Sequence, residues 1–159
     1  MKVLIVSDTH RNNTNYFKIV EMHKPDMVVH CGDVEGSEYA LSEAAGCPVH
    51  MVSGNNDFFS DLPAELEFRV GKYKCFVTHG HRYHVSMGSE MLADEARSRG
   101  VDVVMYGHTH KPEVRIDGGV YVVNPGSLSY PRQEGRKPSY VIMEIDRFGE
   151  LHFTIAYIE

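Results

Sequence analysis

At 159 residues, 42% of them apolar and 24% charged, the chain has the make-up of one folded domain, residues 1–159, with a sizeable core. A net charge of −6 argues against broad electrostatic capture of a nucleic-acid duplex while leaving open a small phosphate ester or a nucleic-acid end held by a metal. Apolar runs of four or five residues exclude a membrane-spanning helix. Val3-Leu4-Ile5-Val6 reads as a strand buried on both faces, and it stops at Asp8-Thr9-His10. In extended backbone Asp8 and His10 point the same way, roughly 6–7 Å apart at the backbone. Asn12 to Asn15 supply caps for a helix in which Tyr16, Phe17, Ile19, Val20 and Met22 recur at helical spacing, closed by Pro25. Met27 to His30 forms a second strand, ending in Cys31-Gly32-Asp33. A helix over about Ser37 to Ala45 stops at Gly46, and a third strand, Val49 to Val52, ends in Ser53-Gly54-Asn55-Asn56-Asp57. Three βα units in succession predict a mainly parallel sheet with right-handed crossovers.

The texture then changes. Leu66 to Val70 and Tyr73 to Thr78 read as a hairpin turning at Gly71-Lys72, its second arm ending in Thr78-His79-Gly80-His81. A helix over about Gly88 to Arg99 closes at Gly100, and Val101 to Tyr106 is a buried strand ending in Gly107-His108-Thr109-His110. Val114 to Ile116 and Val120 to Val123 alternate around Asp117-Gly118-Gly119, a hairpin signal. Asn124 to Ser127 reads as a turn that either closes over a pocket or preserves the fold. Leu128 to Pro138 is polar and irregular, and a last hairpin spans Ser139 to Asp146 and Glu150 to Ile158. Parallel strands first and hairpins later predict an α/β fold, a four-layer α/β/β/α sandwich of two mixed sheets flanked by helices.

Cys31, Cys47 and Cys75 form no C-x-x-C pair, which predicts reduced, largely buried thiols. Met1-Lys2 leads straight into a strand, leaving no room for a secretory signal, so the chain is expected in the cytoplasm. Histidine is enriched, at ten residues with no tag-like run. Five strand ends carry polar signatures: Asp8-Thr9-His10, Gly32-Asp33, Gly54-Asn55-Asn56-Asp57, His79-Gly80-His81 and Gly107-His108-Thr109-His110. Ligands collect past the carboxyl ends of strands in α/β sheets, and glycine serves there because the backbone must turn sharply or approach a ligand closely.

In that order, D-x-H, G-D, G-N-x-D, H-G-H and G-H-x-H resemble the calcineurin-like metallophosphoesterases, over essentially the whole chain. The compact size and the N-P-G-S after G-H-T-H resemble the small YfcE-type phosphodiesterase branch. The resemblance implies a metallo-dependent phosphatase-like fold and two metal ions. One ion would take Asp8, His10, Asp33 and His110; the other would take Asp33, Asn55, His79 and His108, with Asp33 bridging. A donor set of oxygen and nitrogen without thiolate suits Mn²⁺, Fe²⁺, Ni²⁺ or Zn²⁺, and the resemblance favours manganese. The implied reaction is hydrolysis of a small phosphodiester by in-line attack of a hydroxide shared by the metals. Two alternatives stand beside it: a phosphomonoesterase or nucleotide phosphatase, and an interaction scaffold with little activity, like a retromer subunit. Scaffold members tend to lose ligating histidines, whereas all seven presumed ligands are present here.

One departure matters. Many relatives carry His where this chain has Asn56, and that His is thought to protonate the leaving group; an amide cannot. His81 is the candidate substitute, as proton donor or as a contact to the phosphate; the alternative is a histidine that only supports the ligands or lies exposed. Asp57 is expected to orient a ligating histidine through its other ring nitrogen. His84 is a candidate for the rim, His30 for packing inside its strand, and His23, His50 and His152 for structural or surface roles. Arg82, Lys111, Arg132, Arg136 and Lys137 sit on loops near strand ends, where they could steer an anionic substrate. Exposed hairpin edges leave room for a homodimer or tetramer.

Overall fold

The computed structural model describes residues 1–159. In chain order, β1 (Lys2–Val6), α1 (Thr14–His23), β2 (Met27–His30), α2 (Glu38–Ala45) and β3 (Val49–Met51) form the first half. The hairpin β4 (Glu65–Val70) and β5 (Tyr73–Thr78) precedes α3 (Glu90–Ser98) and β6 (Val103–Met105). Two more hairpins follow, β7 (Pro112–Asp117) with β8 (Val120–Pro125), and β9 (Ser139–Ile145) with β10 (Leu151–Tyr157). The strands make two five-stranded sheets, ordered β10-β9-β1-β2-β3 and β4-β5-β6-β8-β7. β1, β2 and β3 run parallel, as do β5, β6 and β8, while the antiparallel strands sit toward the edges.

Side-chain alternation builds the layers. Val3, Ile5 and Val29 of the first sheet meet Cys75, Val77, Val103 and Met105 of the second in a core between the sheets. Their neighbours Leu4, Val6 and Val28 point the other way, onto Tyr16, Ile19, Val20 and Leu41 of α1 and α2. On the far side Phe76, Val104 and Val122 pack under Leu92, Ala93 and Ala96 of α3. The central strands are covered on both faces, which is why they read as unbroken apolar runs. The four-layer α/β/β/α sandwich is thus the observed architecture.

Cys31 and Cys75 are buried and Cys47 half-buried, all three as free thiols. No helix is long and apolar enough to cross a membrane. Asn124 and Pro125, read from sequence as part of a turn, instead complete β8 opposite Glu113 and Pro112; Pro125 is tolerated because it is the last residue of the strand. The short 3₁₀ turns at His81–Tyr83 and Val85–Met87 carry no periodic apolar signal and were not expected. His23 bonds the Tyr140 hydroxyl at 2.8 Å, His50 stacks on Phe68 at 4.2 Å, and His152 pairs with Asp146 at 2.8 Å, so these three serve structural roles.

Candidate metal centre

The parallel strands β1, β2, β5 and β6 deliver their polar ends to one place. Asp8 N–H donates to the Gly32 carbonyl and His10 N–H to the Asp33 carbonyl, both at 3.0 Å, lacing the loops after β1 and β2 together. Gly107 N–H donates to the His79 carbonyl at 2.9 Å, which ties the loop after β6 to the end of β5. The result is a buried cluster. Asp8 and His79 are 0% exposed, Asp33 2% and His110 4%.

The atoms that converge are Asp8 Oδ1, Asp33 Oδ2 and three imidazole Nε2 atoms. Asp8 Oδ1 lies 3.7 Å from His10 Nε2, 3.8 Å from His79 Nε2 and 3.2 Å from His110 Nε2. Asp33 Oδ2 stands between His10 Nε2 at 3.7 Å and His79 Nε2 at 3.4 Å. Two overlapping groups have the spacing of metal ligands: Asp8 with His10 and His110, and Asp8 with Asp33 and His79. The atom common to both is Asp8 Oδ1, so Asp8 is as central as the expected bridge, Asp33.

Each of these histidines is turned by its other nitrogen. His79 Nδ1–H donates to the Cys31 carbonyl at 2.7 Å, His110 Nδ1–H to the Tyr130 carbonyl at 2.6 Å, and His10 Nδ1–H to Glu35 Oε2 at 2.7 Å. A donor bond at Nδ1 fixes the tautomer and leaves the Nε2 lone pair aimed at the carboxylates. Asp8 Oδ1 and His79 Nε2 are buried and have no hydrogen-bond partner. Buried polar atoms are otherwise almost always satisfied, so two orphans facing one space mark a place that a ligand completes. Nitrogen and carboxylate donors without thiolate are what a divalent transition ion takes, and the residues fit such ions.

Electrostatics point the same way. Burial alone would raise the Asp8 pKa, but the His10, His110 and His79 imidazoles beside it hold it well below the usual carboxylate range. Asp33 is likewise lowered, burial being outweighed by His79 and by the Asn56 N–H groups. Burial disfavours a charged His79, yet Asp33 and Asp8 raise it to about 9. The pocket attracts positive charge.

The backbone is bent to achieve this. Asp8, His10, Asp33, His108 and His110 all have positive φ, at 55, 48, 61, 71 and 61°. Non-glycine residues held there cost about 1–3 kcal/mol each, and such strain clusters at functional sites. Gly54 and Gly107 make room for the carboxylates: a Cβ on Gly54 would strike the Asp33 carboxylate, and one on Gly107 would strike Ser7 and Asp8.

Residues 1–147 match the calcineurin-like phosphoesterase superfamily domain. The chain belongs to that superfamily. This calcineurin-like phosphoesterase is 34% identical over 148 residues to the probable metallophosphoesterase YsnB of Bacillus subtilis, covering 92% of the chain and 85% of the relative. It is 31% identical over 145 residues to the phosphodiesterase MJ0936 of Methanocaldococcus jannaschii, covering 79% and 83%. Its fold superposes with a TM-score of 0.80, at 25% identity and 99% coverage of both chains, on Vps29 from Entamoeba histolytica complexed with Zn²⁺.

Other expected site residues of this superfamily member lie around the buried cluster. His108 and Asn55 face each other, with Nδ1 to Oδ1 at 3.1 Å, and Asn55 is exposed at the rim. His108 reaches the cluster through its backbone N–H, bonded to Asp8 Oδ2 at 3.0 Å, and through its ring, 5.2 Å from that of His79. His81 lies 5.4 Å from the His79 ring and 6.1 Å from the His108 ring, with its Nδ1 buried and unpartnered. Burial, and then the neighbouring His79 and His108, lower its pKa, which disfavours its charged form. His84 is exposed between the two 3₁₀ turns.

Asp57 corrects the sequence reading. It orients no histidine; its carboxylate accepts the backbone N–H groups of Asp33 (2.8 Å), Glu35 (2.6 Å) and Gly54 (2.7 Å). The turn from Gly54, closed by Asp57 N–H to the Gly54 carbonyl at 3.2 Å, brings it beneath the strained Asp33 loop. Asn56 donates to both Asp33 oxygens, from its backbone at 2.9 Å and its side chain at 3.0 Å. The Asn124-to-Ser127 stretch does not lie over the pocket but clamps the ligand loops. Asn124 Nδ2 donates to Thr109 Oγ1 at 2.9 Å, and Ser127 Oγ donates to the Asp8 carbonyl while accepting Tyr130 N–H, both at 2.8 Å. Among the basic residues, Lys137 pairs with Glu159, and Arg132 touches the site by its backbone N–H to the His110 carbonyl.

Glu35 is the residue that sequence reasoning missed; its only signal is its place two positions after Asp33. Glu35→Gln keeps an acceptor for His10 but removes the charge that sharpens ligand basicity. Its expected result is a weakening of Mn²⁺ affinity or activity by about 10- to 100-fold, read by calorimetric titration, with an unchanged far-ultraviolet spectrum.

Proposed function

We propose that this chain hydrolyses phosphodiesters with two divalent metal ions. Asp8, His10, Asp33 and His110 would hold one; Asp33, His79, His108 and Asn55 would hold the other. The observation that carries this reading is the pair of buried, unpartnered atoms, Asp8 Oδ1 and His79 Nε2, 3.8 Å apart among further nitrogen and carboxylate donors. Such ions supply a nucleophile at neutral pH and the positive charge that stabilises a phosphoryl transition state. The chain's own groups do the rest. Glu35, Cys31 and Tyr130 fix the imidazoles, Asn56 holds both Asp33 oxygens, and His81 donates a hydrogen bond to the phosphate at the rim.

Asn56 cannot protonate a departing alkoxide, so the preferred esters are those whose leaving group departs as a stable anion. The phosphodiesterase name of the archaeal relative supports a diester over a monoester. Manganese is the proposed metal, with Zn²⁺, Ni²⁺ and Fe²⁺ as alternatives within the same donor chemistry.

The test is turnover of bis(p-nitrophenyl) phosphate against p-nitrophenyl phosphate, with added Mn²⁺ and after chelation. Faster diester cleavage, lost on chelation and restored by Mn²⁺, is expected. A faster monoester would favour the phosphatase alternative. Absence of turnover with Mn²⁺, Zn²⁺, Ni²⁺ and Fe²⁺ alike would favour the scaffold.

A further inference from the structure

Beside the buried cluster runs an open groove of about 660 Å³, walled on one side by Arg11, Glu35 and Glu38 and on the other by the stretch from Asn56 to Leu62. Two of its walls are continuous with the proposed centre: Asn56 donates to Asp33, and Glu35 holds His10. Phe58 and Phe59 stand in it with 78% and 103% of their surface in solvent. Two adjacent phenylalanines kept in water at the mouth of a polar site have no folding reason to be there. Their loop is pinned at its base, where Ser53 N–H donates to the Pro63 carbonyl at 2.8 Å, and Leu62 is anchored against the α1–α2 core. The rings are therefore presented on a fixed stem.

The charge of the groove narrows what fits. Arg11 is its single cation, set against Glu35, Glu38, Asp57 and Asp61, a formal balance of −3. Arg11 is itself drawn to Glu35 at 3.7 Å. A second phosphate would be repelled here, whereas an uncharged flat ring meets two aromatic faces. We infer that this groove binds the uncharged nucleobase on the retained, non-leaving side of the diester whose phosphate sits at the neighbouring centre. The inference rests on the proposed hydrolase function. It assigns substrate choice to Phe58 and Phe59, and exclusion of a further phosphate to Glu38 and Asp61.

Three esters that share one p-nitrophenolate leaving group test it on the Mn²⁺-loaded full chain: methyl p-nitrophenyl phosphate, thymidine 5′-(p-nitrophenyl phosphate), and the latter with a 3′-phosphate. The thymidine ester should show a KM about tenfold below that of the methyl ester, the size of one lost ring stack. The double variant Phe58→Ala/Phe59→Ala should erase that advantage while leaving the methyl ester unchanged. The 3′-phosphate should raise KM, and Glu38→Gln/Asp61→Asn should recover it. Equal KM values for methyl and thymidine esters in the parent chain, or an advantage that survives the double variant, overturn the inference but not the hydrolase.

A second readout needs no turnover. Free thymidine titrated into the protein should shift the ring proton resonances of Phe58 and Phe59, and unmoved rings overturn the groove assignment. Shifted rings with no hydrolysis of any ester would instead keep the groove and remove the hydrolase.

Discussion

Asp8→Asn is expected to lose tight binding of at least one of the two divalent ions and to cut diester turnover by about 10³-fold or more, the scale on which one preorganised charge-stabilising group contributes. Asp8 Oδ1 is the atom common to both ligand groups, within 3.2 to 3.8 Å of three imidazole nitrogens. Burial pushes its carboxyl up, yet the His10, His110 and His79 imidazoles around it hold it well below the usual range, and an amide in its place carries no charge for an ion. The fold should tolerate the change. An asparagine oxygen can still accept from Ser7 Oγ and His108 N–H, as Oδ2 does, while its NH₂ group faces the imidazole lone pairs. Equilibrium dialysis with metal analysis, alongside the diester assay and a melting curve, separates the outcomes. Two ions retained per chain by Asp8→Asn would remove Asp8 from the centre. A lost fold would send the same question to Glu35→Gln, which touches the centre only through His10.

The sequence carried the scaffold of the site far better than its wiring. Runs such as Val3 to Val6 and Val103 to Met105 announce buried strands, because a strand covered on both faces must be apolar at every position. Asp8, His10, Asp33, His79 and His110 were legible because they sit where those runs stop, and parallel strands stop together. The roles of Glu35, Asp57 and Asn56 were not legible. They depend on φ values of 61° at Asp33 and 58° at Glu35, which fold the loop back over Asp57 and swing Glu35 toward His10. No pattern in G-D-V-E encodes that turn. Asn124 and Ser127 were hidden for another reason: their partners, Thr109 and Asp8, lie 15 and 119 residues away and meet them only once the sheets are stacked. The groove was invisible because nothing in the sequence sets Phe58 and Phe59 apart from buried phenylalanines; only their exposure does.

His30 lies beneath this wiring, and it makes the fold sensitive to acid. It is fully buried in β2, where Gly32 N–H donates to its Nδ1 at 3.1 Å and its Nε2–H donates to Thr9 Oγ1 at 3.0 Å. A second proton would have to sit on Nδ1, facing the Gly32 N–H. Burial accordingly lowers the His30 pKa to about 4, with Asp8 and Asp57 only partly opposing. Because the folded value lies below the unfolded one, the stabilisation is complete above about pH 6.5 and is lost as the pH falls toward 4. The shift corresponds to about 2 kcal/mol lost by pH 5 and about 3 kcal/mol by pH 4. His79 and His10 act in the opposite sense and in another window: raised in the metal-free fold, they stabilise fully below pH 6.5 and lose that contribution as the pH rises. Chelated protein should therefore be most stable near pH 6, and urea titrations across pH 5 to 7 resolve the two slopes. His30→Gln should cost stability at pH 7 but shrink its deficit against the parent chain by about 2 kcal/mol at pH 5. A deficit that stays constant with pH would mean that His30 takes up its proton inside the fold. Since Gly32 leads directly into Asp33, the same protonation should loosen the candidate metal centre before the sheets come apart.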